Sequence, residues 1–157
     1  VVGVGYYNCW TSLLLSVSPK LCAFTCDMDK NEVIKIPLAH GEGRFVMNDE
    51  LLKELISNGQ TVFRYCNEKS ETLPEFPTNP NGSMYNLASI SNPGGNIMAI
   101  MPHPERSFLM YQVPFTMLGL DGMIRKPVTP DRDIFYRIEK IYFLARILQE
   151  FIVFFIP

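Results

Sequence analysis

The stretch "NIMAIMPHPER", residues 96–106, constrains the fold more than any other part of the chain. Its apolar run is continuous, the pattern of a central strand buried on both faces. Pro102 ends the run, and Pro104 biases His103 away from the helical region. With His103 extended, residues 103 and 105 project to the same side. An imidazole and a carboxylate therefore emerge together just past the end of a buried strand.

The flanking segments fit a sheet with helices against it. Residues 10–18, "WTSLLLSVS", and 33–38, "VIKIPL", read as strands, the second alternating at period two. "NDELLKELISNG" (48–59) specifies a helix: Asn48 or Asp49 caps it, its leucines and isoleucine recur at helical spacing, and Gly59 closes it. "QTVFRYC" (60–66) is a returning strand, and 67–83 is a polar loop rich in Pro, Asn and Gly. "YNLASIS" and "NIMAIMP" form two strands joined by the turn sequence "NPGG". Residues 108–133 carry no clean period and read as irregular. Asp131 or Asp133 caps a final helix running to about Phe154. The sum is one mixed α/β domain over 1–157, strand-rich with flanking helices.

Composition narrows the function. A chain of 157 residues has room for one sizeable core, and its net charge of −2 comes without a basic block, which argues against a nucleic-acid partner. Cys9, Cys22, Cys26 and Cys66 lack paired C-x-x-C spacing, and with two histidines a metal site is not expected. They read as reduced thiols of a cytoplasmic protein. No signal peptide is visible. The C-terminal stretch is apolar, but Arg146 and Glu150 interrupt it and the run from Phe151 to Ile156 is too short to span a membrane. Its last residues, "FIVFFIP", need cover from this domain or a partner.

A carboxylate beside an imidazole fixes the ring's tautomer and stabilises the imidazolium, which suits a general base serving a nucleophile. In open α/β sheets such groups collect at the ends of strands. The same three residues also describe a capped turn, and the local pattern alone leaves both readings open.

"PLAHGEGRF" (37–45), "NGQTVFRY" (58–65), "NPNGSMYNLASISN" (79–92) and "GNIMAIMPHPERS" (95–107) occur in one order. Together they resemble the glutamine amidotransferase subunit of phosphoribosylformylglycinamidine synthases, densely over 33–107 and weakly back to about Cys9. The resemblance implies part of a flavodoxin-like class I amidotransferase fold and a Cys-His-Glu triad in which His103 and Glu105 are the second and third members. It implies glutamine hydrolysis to glutamate and ammonia. A separate synthetase subunit then uses ATP and Mg to form formylglycinamidine ribonucleotide in purine biosynthesis. No cofactor is implied on this chain.

The implied nucleophile is harder to place. Such cysteines sit on a strand-to-helix elbow, G-x-C-x-G, and the chain has no such motif. Each of the four cysteines reads as a structural thiol, so no nucleophile is assigned. The elbow and the strands before it are expected to be missing from the N-terminal side, leaving an exposed sheet edge and a chain unable to hydrolyse glutamine alone. The alternative is a non-catalytic interaction protein, or half of a split amidotransferase that docks on the synthetase. His40, Gly41 and Glu42 fall where the family shapes the glutamine pocket. Two glycines around a glutamate equally describe a turn whose backbone approaches something closely. "NPNGS" (79–83) reads first as a turn.

Overall fold

A computed structural model describes residues 7–41 and 43–107. Five strands form one sheet: β1 (Tyr7–Leu15), β2 (Val33–His40), β3 (Phe63–Cys66), β4 (Leu87–Ser91) and β5 (Met98–Ile100). Their spatial order is β2-β1-β3-β4-β5, and every neighbouring pair is antiparallel. One α-helix, α1 (Asp49–Ser57), joins β2 to β3.

Period two decides which side chains are buried. Leu13 stands opposite Ile34 on one neighbour and Tyr65 on the other, and Thr11 stands opposite Ile36. Opposite residues share a face of the sheet, so Leu13, Leu15, Ile34, Ile36, Leu38, Phe63 and Tyr65 collect on one side, each fully buried. Phe24 and Cys22, from the connection between β1 and β2, cover that side. At about 25 cal/mol per Å² of apolar surface, burying each Leu or Ile contributes roughly 1.5–3 kcal/mol. Pro37 lies in β2, a strand at one end of the described sheet, where proline costs least because no second neighbour needs its missing N–H.

The helix starts as its sequence specifies. Asn48 is the cap: its side-chain oxygen accepts the Leu51 N–H at 2.8 Å. Gly59 follows the helix at φ +66°, a left-handed conformation that glycine adopts without strain. Burial is narrower than the apolar spacing predicts. Leu55 is buried, whereas Leu51 and Ile56 remain exposed.

The "NPGG" connection is a tight turn held by one side chain. The Asn92 carbonyl oxygen of the amide accepts both the Asn96 and Ile97 N–H groups, and Gly95 sits at φ +67°. A β-carbon on Gly95 would lie 2.0 Å from the Leu21 carbonyl oxygen, so the backbone approach also demands glycine.

β5 departs from the expected central position. Only three residues pair, and among the described residues they pair with β4 alone. Met98 is buried, while Ala99 and Ile100 are half-buried. Among the described residues β5 therefore stands at the end of the sheet, not at its centre. The irregular segment 108–133, the final helix, the apolar tail and the first six residues lie outside the described residues. No described helix is long and apolar enough to cross a membrane.

Candidate active site

The chain leaves β5 through Met101 and Pro102 and enters a single 3-10 turn, Pro104–Arg106. His103 is extended, at φ −87° and ψ 110°, as its place before a proline requires. Strand alternation does not bring Glu105 to it, because the chain turns at once. Pro104 supplies the fixed φ of a first helical position, and the turn folds residue 105 back. His103 Nδ1 then lies 2.7 Å from Glu105 Oε1. The His103 side chain is 27 % exposed and that of Glu105 51 %, so the pair is open to a reactant while its acid–base groups stay in contact. With Nδ1 held by the carboxylate, Nε2 is the nitrogen left to exchange a proton with a partner. Arg106 points to solvent.

The "AHGEG" segment arrives at the same end of the sheet from β2, which packs against the 104–106 turn. His40 is half-buried at the end of β2. Gly43 N–H donates to its Nδ1 at 3.0 Å, and the Asn81 amide nitrogen approaches Nε2 at 3.2 Å. The Gly43 N–H keeps Nδ1 unprotonated, and an imidazolium, which carries a proton there, would lose that bond. Burial pushes in the same direction and lowers the His40 pKa. This ring is held neutral.

The two glycines of the segment differ. A β-carbon on Gly43 would overlap the Met101 side chain, 1.8 Å from its sulfur, and crowd the His40 ring at 2.9 Å. Gly41 has nothing within 4 Å of that position. The close backbone approach expected for this segment is therefore a property of Gly43. Glu42 lies outside the described residues.

"NPNGS" closes the other side. Asn81 donates to the Gly43 carbonyl at 2.7 Å and faces the Tyr65 hydroxyl at 3.4 Å, while its own oxygen accepts from the Ser83 N–H and hydroxyl. Asn79 braces the turn through the Ser83 N–H and carbonyl, and Gly82 takes φ +69°. Tyr65 is fully buried, and burial raises its phenol above the ordinary range, against the Asn81 bond and with the nearby Cys9 thiol. The segment is a turn, as its composition predicts, and it also carries a cross-loop bond. Asn81, Tyr65 and Met101 were not distinguishable as site residues in the sequence: Tyr65 and Met101 look like core, and Asn81 like any turn asparagine.

Among the described residues no three metal-ligating side chains lie close enough to hold an ion. None of the four cysteines forms a disulfide. Cys22 and Cys66 are buried, Cys9 is half-buried and Cys26 is exposed.

The profile of the CobB/CobQ-like glutamine amidotransferase domain matches residues 5–141. The chain belongs to that family. A phosphoribosylformylglycinamidine synthase subunit PurQ from Methanothrix thermoacetophila is 44 % identical over 115 residues, 73 % of this chain and 44 % of the relative. The PurQ of Aquifex aeolicus is 44 % identical over 93 residues, 59 % of this chain and 40 % of the relative. The structure of PurLQS from Thermotoga maritima contains a chain that superposes with a TM-score of 0.53 at 28 % identity, covering 87 % of this chain and 48 % of that one. This amidotransferase domain thus spans less than half the length of the PurQ relatives it matches. Its architecture is a strand-rich, partial class I glutamine amidotransferase domain in the α/β class.

Proposed function

We propose that this amidotransferase domain supplies the acid–base half of a glutaminase site within a phosphoribosylformylglycinamidine synthase. The contact of His103 Nδ1 with Glu105 Oε1 at 2.7 Å carries the reading. In this reaction His103 Nε2 removes the proton of a cysteine thiol, and the thiolate sulfur bonds to the side-chain amide carbon of glutamine. The C–N bond breaks as His103 returns the proton to nitrogen, and ammonia leaves. Water, deprotonated by the same ring, then cleaves the thioester to glutamate and free thiol. Glu105 orients the ring and stabilises its charged form. In this reading His40, Gly41 and Glu42 help to shape the glutamine pocket.

The thiol comes from outside these 157 residues. Two of the four cysteines are buried and none has the glycine frame of an elbow. In this reading the thiol stands on a segment that carries G-x-C-x-G, and these residues without it are inert toward glutamine. Ammonia passes to a synthetase subunit that consumes ATP with Mg, in a cytoplasmic complex. Support comes from the PurQ relatives and from the PurLQS neighbour.

Mixing the chain with an elbow-bearing polypeptide and assaying glutamate and ammonia tests the proposal. Activity in the mixture, absent from either part and from a mixture made with His103→Ala, is the expected result. A silent mixture that still binds the synthetase leaves the chain a docking protein without catalysis. Ammonia release by the pure chain would overturn the assignment of the thiol.

A further inference from the structure

Segments 40–45 and 79–83 are far apart in sequence and are joined through two side chains: the Ser83 hydroxyl accepts the Phe45 N–H at 3.1 Å, and Asn81 reaches His40 and Gly43. The Asn81 amide divides its two ends between them. Its oxygen stays within its own turn, accepting the Ser83 N–H at 3.1 Å and the Ser83 hydroxyl at 2.8 Å. Its nitrogen crosses over, donating to the Gly43 carbonyl at 2.7 Å and facing His40 Nε2 at 3.2 Å. Any acceptor could serve the first function. Only a donor can serve the second, so the turn by itself accepts Asp at position 81 and the crossing does not.

Gly43 is held from the opposite side as well. Its α-carbon lies so close to Met101 that a β-carbon would sit 1.8 Å from the sulfur. The Met101 backbone is held by its N–H, which donates to the Ala88 carbonyl at 2.9 Å, and it precedes His103 by two residues. The carbonyl of Gly43 is tied to Asn81 while its other flank rests on the strand end that carries the imidazole–carboxylate pair. A shift at Gly43 is therefore met first by the Met101 side chain, and loss of the Asn81 donor frees the Gly43 carbonyl to shift while the Phe45 N–H stays on Ser83.

We infer that Asn81 is a positioning residue of the amidotransferase site: its amide nitrogen holds His40 and Gly43 beside Met101 and so fixes one wall of the glutamine pocket relative to His103. The inference rests on the glutaminase reading above. Asn81 touches no reacting atom in it, so the clamp governs how glutamine is held more than how fast the bonds change.

The test uses the full chain and its Asn81→Asp variant, which keeps size and the Ser83 bonds and removes the donor. With two histidines in the sequence, both imidazoles are resolved by nitrogen-15 NMR of the labelled chain. In the variant a carboxylate faces His40 Nε2, so His40 takes up its proton at higher pH than in the parent, and the His103 resonances shift. In the complex restored with an elbow-bearing polypeptide, KM for glutamine rises roughly tenfold while kcat changes less than about threefold. Gly43→Ala, which displaces Met101 with Asn81 intact, gives the same split and guards against a variant that fails to fold. Parent-like KM and unshifted His103 resonances in both variants would overturn the inference and leave Asn81 a turn residue. Full turnover by His103→Ala would instead defeat the glutaminase reading, and the NMR shifts would then decide the clamp alone.

Discussion

His103 and Glu105 meet at 2.7 Å across one turn of 3-10 helix, with a proline between them that sets the turn. Sequence neighbours two apart rarely make such a contact on a regular helix, where residues three and four apart face each other. The contact depends on an extended His103 followed by a fixed φ at Pro104. Removing the ring and removing the charge of its partner should therefore have different costs. In the restored complex, His103→Ala is expected to lower glutaminase kcat by about 10²–10⁴-fold, the range of a general acid–base contribution. Glu105→Gln keeps a neutral hydrogen-bonding partner at Nδ1 and should retain more activity than His103→Ala. Steady-state ammonia release measures both. Equal losses would mean that Glu105 does more than orient the ring.

His40 predicts the pH dependence of folding. Its pKa is lowered in the folded state by burial, and Nδ1 accepts the Gly43 N–H. In the unfolded chain the ring titrates near the ordinary value of about 6.5. The unfolded state therefore binds the proton first as pH falls. The contribution of neutral His40 is fully present above about pH 6.5 and is lost as pH falls from there through the lower folded value. Urea unfolding from pH 8 to pH 5 should show this decline. His40→Gln should be less stable than the parent at pH 8 and lose part of the slope. An unchanged slope would show that other groups carry it.

Cysteine chemistry follows from burial. Cys26 is exposed, whereas Cys22 and Cys66 are 1 % and 3 % exposed. Burial raises the Cys22 thiol and pushes that of Cys66 up to about 11. At pH 8 roughly one Cys66 in a thousand is then a thiolate, the reactive form. Iodoacetamide should label Cys26 first, with Cys22 and Cys66 reacting only after denaturation, as read by peptide mass spectrometry. Rapid labelling of Cys66 in the native chain would contradict the packing around β3.

Much of this was legible because the sequence repeats its instructions locally. The alternation in "VIKIPL" placed β2, and the Asn48 and Gly59 boundaries placed α1, since each cap answers a backbone group within a few residues. The place of β5 in the sheet was not legible. A continuous apolar run is equally produced by two strand neighbours or by packing against loops, and strand order is a long-range property. The imidazole–carboxylate pair is visible through its proline, although the sequence around it suggests extended chain where the structure has a turn. Asn81 was hidden for another reason. An asparagine before glycine is explained by its turn, and nothing local announces that the nitrogen of its amide bonds a segment almost forty residues earlier.

The sheet also contains a bond that only the register explains. The pairing of β3 with β4 shifts between Phe63 and Arg64, which removes the ladder acceptor expected for the Phe63 N–H. The Ser89 hydroxyl takes its place, accepting that N–H at 3.0 Å in a fully buried position. Ser89→Ala would leave a buried backbone donor without a partner, which costs about 1–3 kcal/mol. Ser57, at the exposed end of α1, also bonds backbone through its hydroxyl, donating to the Glu54 carbonyl at 2.9 Å. There water replaces the lost group, and Ser57→Ala should stay within about 0.5 kcal/mol of the parent. Urea midpoints of the two variants, measured side by side, separate the burial of the donor from the loss of a serine as such. Equal small effects would mean that the strand relaxes at its bulge and the Phe63 N–H finds another acceptor.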